Sequence, residues 1–265
     1  MDHKDVWAAG DLYEPYVGRW SRLVAREFVS WLSVPTNKDW LDVGCGTGAL
    51  TQVILDTATP RAVTGIDASA GFIEYAKMRI DNRLASFEVG DARSLPIDTA
   101  SFDVAVSALA LNFVPEPAEA IVEMTRAIRP GGMVAAYVWD YAEKMELIRY
   151  FWDAAVALDP AAIDLDEGRQ FSICAPTPLS NLFAQAGLRA VEVRPIDVPT
   201  RFRDFDDYWS PFLGGQGPAP GYAMSLSEDR RNALRDRIRS QLPIGPDGAL
   251  QLIARAWAVR GRTPH

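Results

Sequence analysis

Asp42-Val43-Gly44-Cys45-Gly46-Thr47-Gly48 places three alternating glycines two residues behind a carboxylate. Glycine adopts positive φ and has no Cβ to hold a ligand away, so this composition suits chemistry in which main chain closes on a bound molecule. Two further carboxylates recur downstream. Asp67 lies nineteen residues beyond Gly48, where an acidic side chain can accept both hydroxyls of a ribose, and Asp91 follows Gly90. That spacing is the logic of nucleotide-type sites in α/β folds. Asp67 also precedes a helical pattern, so an N-cap is the alternative role, and a solvated turn is the alternative for Asp91.

These residues need strands that end beside them. Residues 40–43 form a short apolar run, and Ala49, Leu50, Val53 and Ile54 then recur at helical spacing, which puts the glycines on a strand-to-helix turn. There the first N–H groups of the helix would face the ligand. Residues 61–66, 85–89 and 102–108 read as further strands, with a helix from Ser69 carrying Phe72, Ile73, Ala76 and Ile80 on one face. Ligands of open α/β sheets bind beyond the carboxyl ends of strands, so Asp42, Asp67 and Asp91 are expected to converge on one crevice. A helix over 117–128, the turn Arg129-Pro130-Gly131-Gly132 and a fifth strand over 133–139 complete this half.

The D-x-G-x-G-x-G run resembles the first motif of class I S-adenosylmethionine-dependent methyltransferases. The R-P-G-G turn follows it at the right interval, and the resemblance covers residues 40–139. It is nearest to the UbiE-like small-molecule branch, to which the leader Tyr13-Glu14-Pro15-Tyr16-Val17-Gly18-Arg19-Trp20-Ser21-Arg22 is also similar. The resemblance implies a Rossmann-like, doubly wound α/β fold: a seven-stranded, mostly parallel sheet with an antiparallel last strand and a helical substrate cap. It implies S-adenosyl-L-methionine as cofactor, held by Asp42, Gly44, Cys45, Gly46, Gly48, Asp67, Ala68, Asp91 and Ala92. The last two would serve the adenine, and Ser107 and Ala108 the methionine moiety. Tyr13, Tyr16 or Trp20 could fold over the sulfonium cation, and Arg19 could meet the cofactor carboxylate. Aromatics that simply pack the N-terminal helix are the alternative. Cys45 reads as a small buried side chain before it reads as a nucleophile.

Three segments are expected within one compact domain: a helical leader over 1–35, the cofactor core over 36–140, and residues 141–265 completing the sheet and supplying the cap. In the last, helices are expected over 144–158 and 179–186, the latter ended by Gly187, and strands over 188–198 and 250–259. Asp204 and Ser227 are placed to cap two more helices. Residues 214–222, rich in glycine and proline, are read as a loop, either a lid or a connector. Asn112, Trp139, Trp209, Phe212 and Tyr222 are the acceptor-binding candidates, with a turn cap as the alternative for Asn112 and core packing for the aromatics. Asp140 and Tyr141 are the candidate bases.

A formal charge of -8, from 35 acidic against 27 basic residues, argues against a nucleic-acid partner. His3 and His265 are the only histidines, which removes the central residue of His-based metal sites and Ser-His-Asp triads, so no metal is expected. Two cysteines and no apolar run of membrane-spanning length point to a cytoplasmic protein. The expected activity is methyl transfer by in-line displacement to a small, apolar or aromatic molecule. An NAD(P)-dependent oxidoreductase fits the glycine turn and Asp67 but leaves Asp91 and the R-P-G-G strand unexplained. A non-catalytic S-adenosylmethionine-binding protein is the other alternative.

Overall fold

Short apolar strands followed by amphipathic helices fold here as the alternation dictates. The computed structural model describes residues 19–214 and 217–265. In chain order the elements are α1 (Arg19–Leu32), β1 (Asp39–Val43), α2 (Ala49–Thr57), β2 (Ala62–Asp67), α3 (Ala70–Arg79), β3 (Ala85–Val89), β4 (Phe102–Ala108), α4 (Pro117–Ala127) and β5 (Ile128–Trp139). There follow α5 (Glu146–Leu158), α6 (Glu167–Gln170), α7 (Pro176–Gln185), β6 (Arg189–Phe202), α8 (Phe205–Trp209), α9 (Pro218–Ser225), α10 (Glu228–Gln241) and β7 (Leu250–Arg262).

The strands form one seven-stranded sheet in the order β3-β2-β1-β4-β5-β7-β6. From β3 to β5 every pairing is parallel. Against β5, strand β7 runs the other way: the Thr263 amide donates to the Gly132 carbonyl, while the Asp140 amide donates to the Arg255 carbonyl. This is the Rossmann-like, mostly parallel seven-stranded sheet with an antiparallel last strand that the resemblance implied. Strand order reverses between β1 and β4, and it is there that a doubly wound sheet opens a crevice beyond its carboxyl ends.

The chain divides into two compact units. One comprises Ser21–Val138, Ile173–Ile196 and Ala256–His265. Its central strands are buried on both faces, as parallel sheets require. Phe28 of α1 meets Tyr137 of β5 edge-on, with ring centroids 4.8 Å apart. The R-P-G-G segment does not precede β5 but lies inside it, because β5 begins at Ile128, five residues before the expected start. Gly131 sits at φ +77° where the β4–β5 register shifts, and a Cβ on Gly132 would lie 2.6 Å from the Asp103 carbonyl oxygen. Glycine makes that bulge possible.

The other unit comprises Trp139–Ser172 and Asp197–Arg255 together with Trp20. Its core is aromatic. Phe151 stacks on Phe212 at 4.7 Å, Trp20 meets Phe202 at 5.1 Å, and Tyr208 donates its hydroxyl to the Leu147 carbonyl at 2.8 Å. Asp204 and Ser227 cap α8 and α10 as expected. The loop expected over 214–222 is corrected in its second half: Pro218–Ser225 is a helix, with Pro218 in the first turn, where its missing N–H costs nothing. Gly215 and Gln216 lie outside the described residues.

Candidate functional site

The glycine turn leaves β1 at Val43, and all three glycines take positive φ: +71° at Gly44, +53° at Gly46 and +83° at Gly48. Their reasons differ. A Cβ on Gly44 would stand 2.4 Å from the Ala110 Cβ and 4.0 Å from the Ser107 Oγ, so the turns after β1 and β4 are in contact. A Cβ on Gly46 would meet nothing within 4 Å. Gly44 is therefore required by the protein, whereas Gly46 leaves open space beside the turn.

The turn's own amides, ahead of the helix, are largely committed. Those of Gly44 and Cys45 donate to the Ile66 carbonyl at 2.7 and 3.1 Å. Gly46 donates to Asp67 Oδ2 at 2.9 Å, and Asp67 Oδ1 accepts from the Ser69 amide, also at 2.9 Å. Asp67 thus ties the end of β2 to the turn. The N-cap of α3 is Ser69, which corrects the capping alternative for Asp67.

Several buried side chains near the turn are less committed. Asp42 is fully buried, and its Oδ2 accepts from the Thr51 hydroxyl at 2.7 Å while Oδ1 has no partner. Burial raises its carboxyl to about pH 7, with the Thr51 bonds opposing and the Asp67 charge adding to the rise. Ser107, last but one in β4, is buried with its Oγ unpaired. Asn112 sits in the single helical turn Leu111–Phe113 after β4, and neither its Oδ1 nor its Nδ2 has a partner. The turn-cap alternative for Asn112 is therefore not realised. Asp42 is paired with Val106, which precedes Ser107, so Asp42 and Ser107 stand at adjoining ends of β1 and β4, and Asn112 follows in the turn beyond β4. Buried polar groups left unpaired cost roughly 1–3 kcal/mol each, and a site prepared for a ligand is a reason to carry them.

Asp67 pairs with Val89 across β2 and β3, so Asp91 belongs to the same sheet edge, as expected. Its carboxylate is engaged by Arg93 Nη2 at 2.7 Å, and that bond holds its pKa below the usual carboxylate range. Ala68 is exposed, and Ala92 and Ala108 are half-buried at their strand ends. Burial pushes the Cys45 thiol far up, so it stays protonated and serves as packing beneath Gly65. Tyr16 and the side chain of Arg19 lie outside the described residues, as does Tyr13.

Asp42, the three glycines, Asp67 and Ser107 fit a nucleoside-sulfonium ligand: an acidic acceptor, unpaired hydroxyl and amide groups, and open space at a Cβ-free residue. The comparisons with known proteins decide the family. Residues 41–136 match the family model described as a methyltransferase domain. Demethylmenaquinone methyltransferase from Staphylococcus aureus is 30% identical over 170 residues, covering 58% of this chain and 69% of that one. The chain belongs to the class I S-adenosylmethionine-dependent methyltransferases, in their UbiE-like small-molecule branch. Malonyl-[acyl-carrier protein] O-methyltransferase from Hahella chejuensis is 34% identical to this methyltransferase over 125 residues, which are 47% of this chain and 44% of that one. Among the first relatives, then, the match spans less than half of their length. Phosphoethanolamine N-methyltransferase 2 from Haemonchus contortus, solved with S-adenosyl-L-methionine, shares the fold at a TM-score of 0.59 and 15% identity, over 98% of this chain and 57% of that one.

The remaining candidates of this methyltransferase lie in the aromatic unit. Asp140 is buried; its Oδ1 accepts from the Glu143 amide at 3.1 Å, Oδ2 is unpaired, and burial raises its pKa. Tyr141 is buried beside Phe171, with centroids 5.3 Å apart. Trp139 is buried with an unpaired Nε1. Trp209 and Phe212 are buried 5.8 Å apart, and Tyr222 packs on Trp152 at 5.5 Å. These three pack against neighbouring rings, as the core alternative anticipated. Sequence reasoning missed Thr51, Ala110 and Arg93. Thr51 carried a signal, being a hydroxyl on the apolar face that bears Leu50, Val53 and Ile54; the partners of Gly44 and Asp91 carried none.

Among the described residues no group of His, Cys, Asp and Glu could hold a metal ion, and no helix is long and apolar enough to cross a membrane.

Proposed function

We propose that this chain transfers a methyl group from S-adenosyl-L-methionine to a small, apolar or aromatic acceptor in the cytoplasm. The observation that carries the reading is that buried polar atoms, Asp42 Oδ1, Ser107 Oγ and the Asn112 carboxamide, stay unpaired at and just beyond the carboxyl ends of β1 and β4, where the chain also makes its glycine turn. When bound, the cofactor supplies an activated methyl on a sulfonium leaving group, so the protein's work is to bind, orient and exclude water. Asp42 accepts from the donor's polar groups as an ionised carboxylate, held in place by Thr51. Ser107 and Asn112 satisfy their own hydrogen-bonding capacity on the same ligand, so binding removes a penalty that the free protein carries. Asp67 fixes the turn through Gly46 and offers its remaining lone pairs to the ribose. Asp91 and Ala92 serve the adenine edge, and Ala68 borders it.

The acceptor class is supported by the name of one relative, demethylmenaquinone methyltransferase, and by the aromatic composition of the second unit. Asp140 or Tyr141 takes the acceptor's proton where the acceptor is a hydroxyl or acidic carbon. Calorimetric titration with S-adenosylhomocysteine and with NAD tests the donor: tight binding of the first and none of the second is expected, and the reverse overturns the reading. Incubation with labelled donor and a panel of quinols, phenols, thioesters and amines tests the acceptor, with label transfer expected to quinols or phenols. Transfer confined to amines contradicts the acceptor class.

A further inference from the structure

A cavity of about 260 Å³ lies at the opposite ends of the same parallel strands. Val34, Pro35, Val104, Pro130 and Met133 give it apolar walls, and Lys38, Arg129 and Arg262 place cations around it. Lys38 immediately precedes β1, Val104 is near the start of β4, and Arg129 near that of β5, so the length of β1 separates this cavity from the glycine turn. The R-P-G-G segment, which the cofactor site does not use, forms one wall.

The charges do not cancel. Asp39 takes Arg61 and Arg129, with Arg129 Nη1 at 3.4 Å. Asp103 takes Lys38 at 3.4 Å and Arg129 at 3.2 Å. Arg262 donates Nη1 to the Gly131 carbonyl at 3.2 Å and pairs with no carboxylate among the described residues. Among the side chains that line the cavity, Lys38, Arg129 and Arg262 stand with one carboxylate, Asp103, on a chain whose formal charge is -8. Both acids register that field. Asp39 is held below the usual range first by the Arg61 bond, and burial of Asp103 is outweighed by the Asp39 amide and by Lys38 and Arg129.

A concave apolar wall with a few convergent cations is the composition of a small-molecule site. Its size falls just below the roughly 300–1,000 Å³ usual for such pockets, which suits a ring or short chain bearing one charged group and is too small for a nucleotide. We infer that the cavity bounded by Val34, Lys38, Val104, Arg129, Met133 and Arg262 is a second ligand site, which takes a small organic carboxylate with an apolar body. The carboxylate meets Arg262 and Lys38 at the rim, where a charge-assisted pair is available without breaking the Arg129 network. The body displaces water from Val34, Val104 and Met133.

Methyl-labelled protein titrated with benzoate tests this site. Saturable shifts at the Met133, Val34 and Val104 methyls are expected, with Leu50 beside the glycine turn unmoved. Arg262→Glu should weaken benzoate at least about tenfold, and benzyl alcohol should bind wild type at least about tenfold more weakly than benzoate. Binding of S-adenosylhomocysteine should be unchanged in Arg262→Glu, which shows that the variant folds and separates this site from the donor reading. The inference is overturned if benzoate leaves those methyls unmoved, if benzyl alcohol binds as well as benzoate, or if Arg262→Glu keeps full benzoate affinity.

Discussion

At the carboxyl ends of β1 and β4 the buried polar atoms of Asp42, Ser107 and Asn112 go without partners, whereas at the amino ends of the same strands Asp39 and Asp103 are engaged by Lys38, Arg61 and Arg129. Asp39 opens the five-residue strand that the glycine turn follows, so the two ends share a scaffold and differ in chemistry. The unpaired end carries a desolvation cost that a ligand can relieve. The paired end spends its charges on joining three strands and keeps a cationic surplus at its rim. Polar atoms that the fold leaves unanswered point to the proposed donor site more clearly than the glycines do, because the amides of Gly44, Cys45 and Gly46 already serve β2.

Substitutions can break this contrast. Gly46→Val should act most strongly: a branched side chain enters open space, so donor affinity should fall by about a hundredfold or more, ~2.7 kcal/mol, while left-handed backbone strain costs roughly 1–2 kcal/mol of stability. Gly44→Ala separates the two effects, since its Cβ meets Ala110 and the loss should appear in Tm first. Titration calorimetry beside thermal melts distinguishes them.

Asp42→Asn should cost about 1.5–3 kcal/mol of donor affinity by removing an ionised acceptor. Its pH signature is specific. Burial raises the folded carboxyl to about 7 from its ordinary 3.8, so wild-type stability is fully present below pH 3.8 and declines as pH rises toward 7. At roughly 1.4 kcal/mol per unit, that decline comes to about 4–5 kcal/mol, and Asp42→Asn should be relieved of it at pH 8. Donor affinity should rise with pH through 7 in wild type, because binding needs the ionised form, and should stay flat in Asp42→Asn. A pH series of titrations and melts reads both.

Asn112→Leu sharpens the comparison further. Replacing a buried, unpaired carboxamide should raise the free protein's stability by about 1 kcal/mol while lowering turnover, a combination that a scaffold residue does not give. Asp91→Ala should be the mildest, near 0–1 kcal/mol in stability and in donor affinity, since an exposed pair with Arg93 is lost. Melts and titrations on the same preparations measure it.

The strand-helix alternation from Trp40 to Trp139 was legible because most of its strands are short, largely apolar runs, and Asp67 and Asp91 stand where a run stops. Asp204 and Ser227 were legible as caps for the same local reason. What was hidden is tertiary. That Gly44 answers to Ala110, and that Asp91 is held by Arg93, depends on turns brought together by strand register. The helix at Pro218–Ser225 was missed because prolines and a glycine read as breakers, although the first turn of a helix tolerates proline. The bulge in β5 was read as a turn because Pro130 and Gly131 give the same local signal in either setting.

A crystal structure with S-adenosylhomocysteine tests the central claim most directly. Donor atoms within hydrogen-bonding distance of Asp42 Oδ1, Ser107 Oγ or the Asn112 carboxamide, with the adenosyl group over Gly46, are the expected result. A ligand seated elsewhere, with all three side chains still unpartnered, would contradict it.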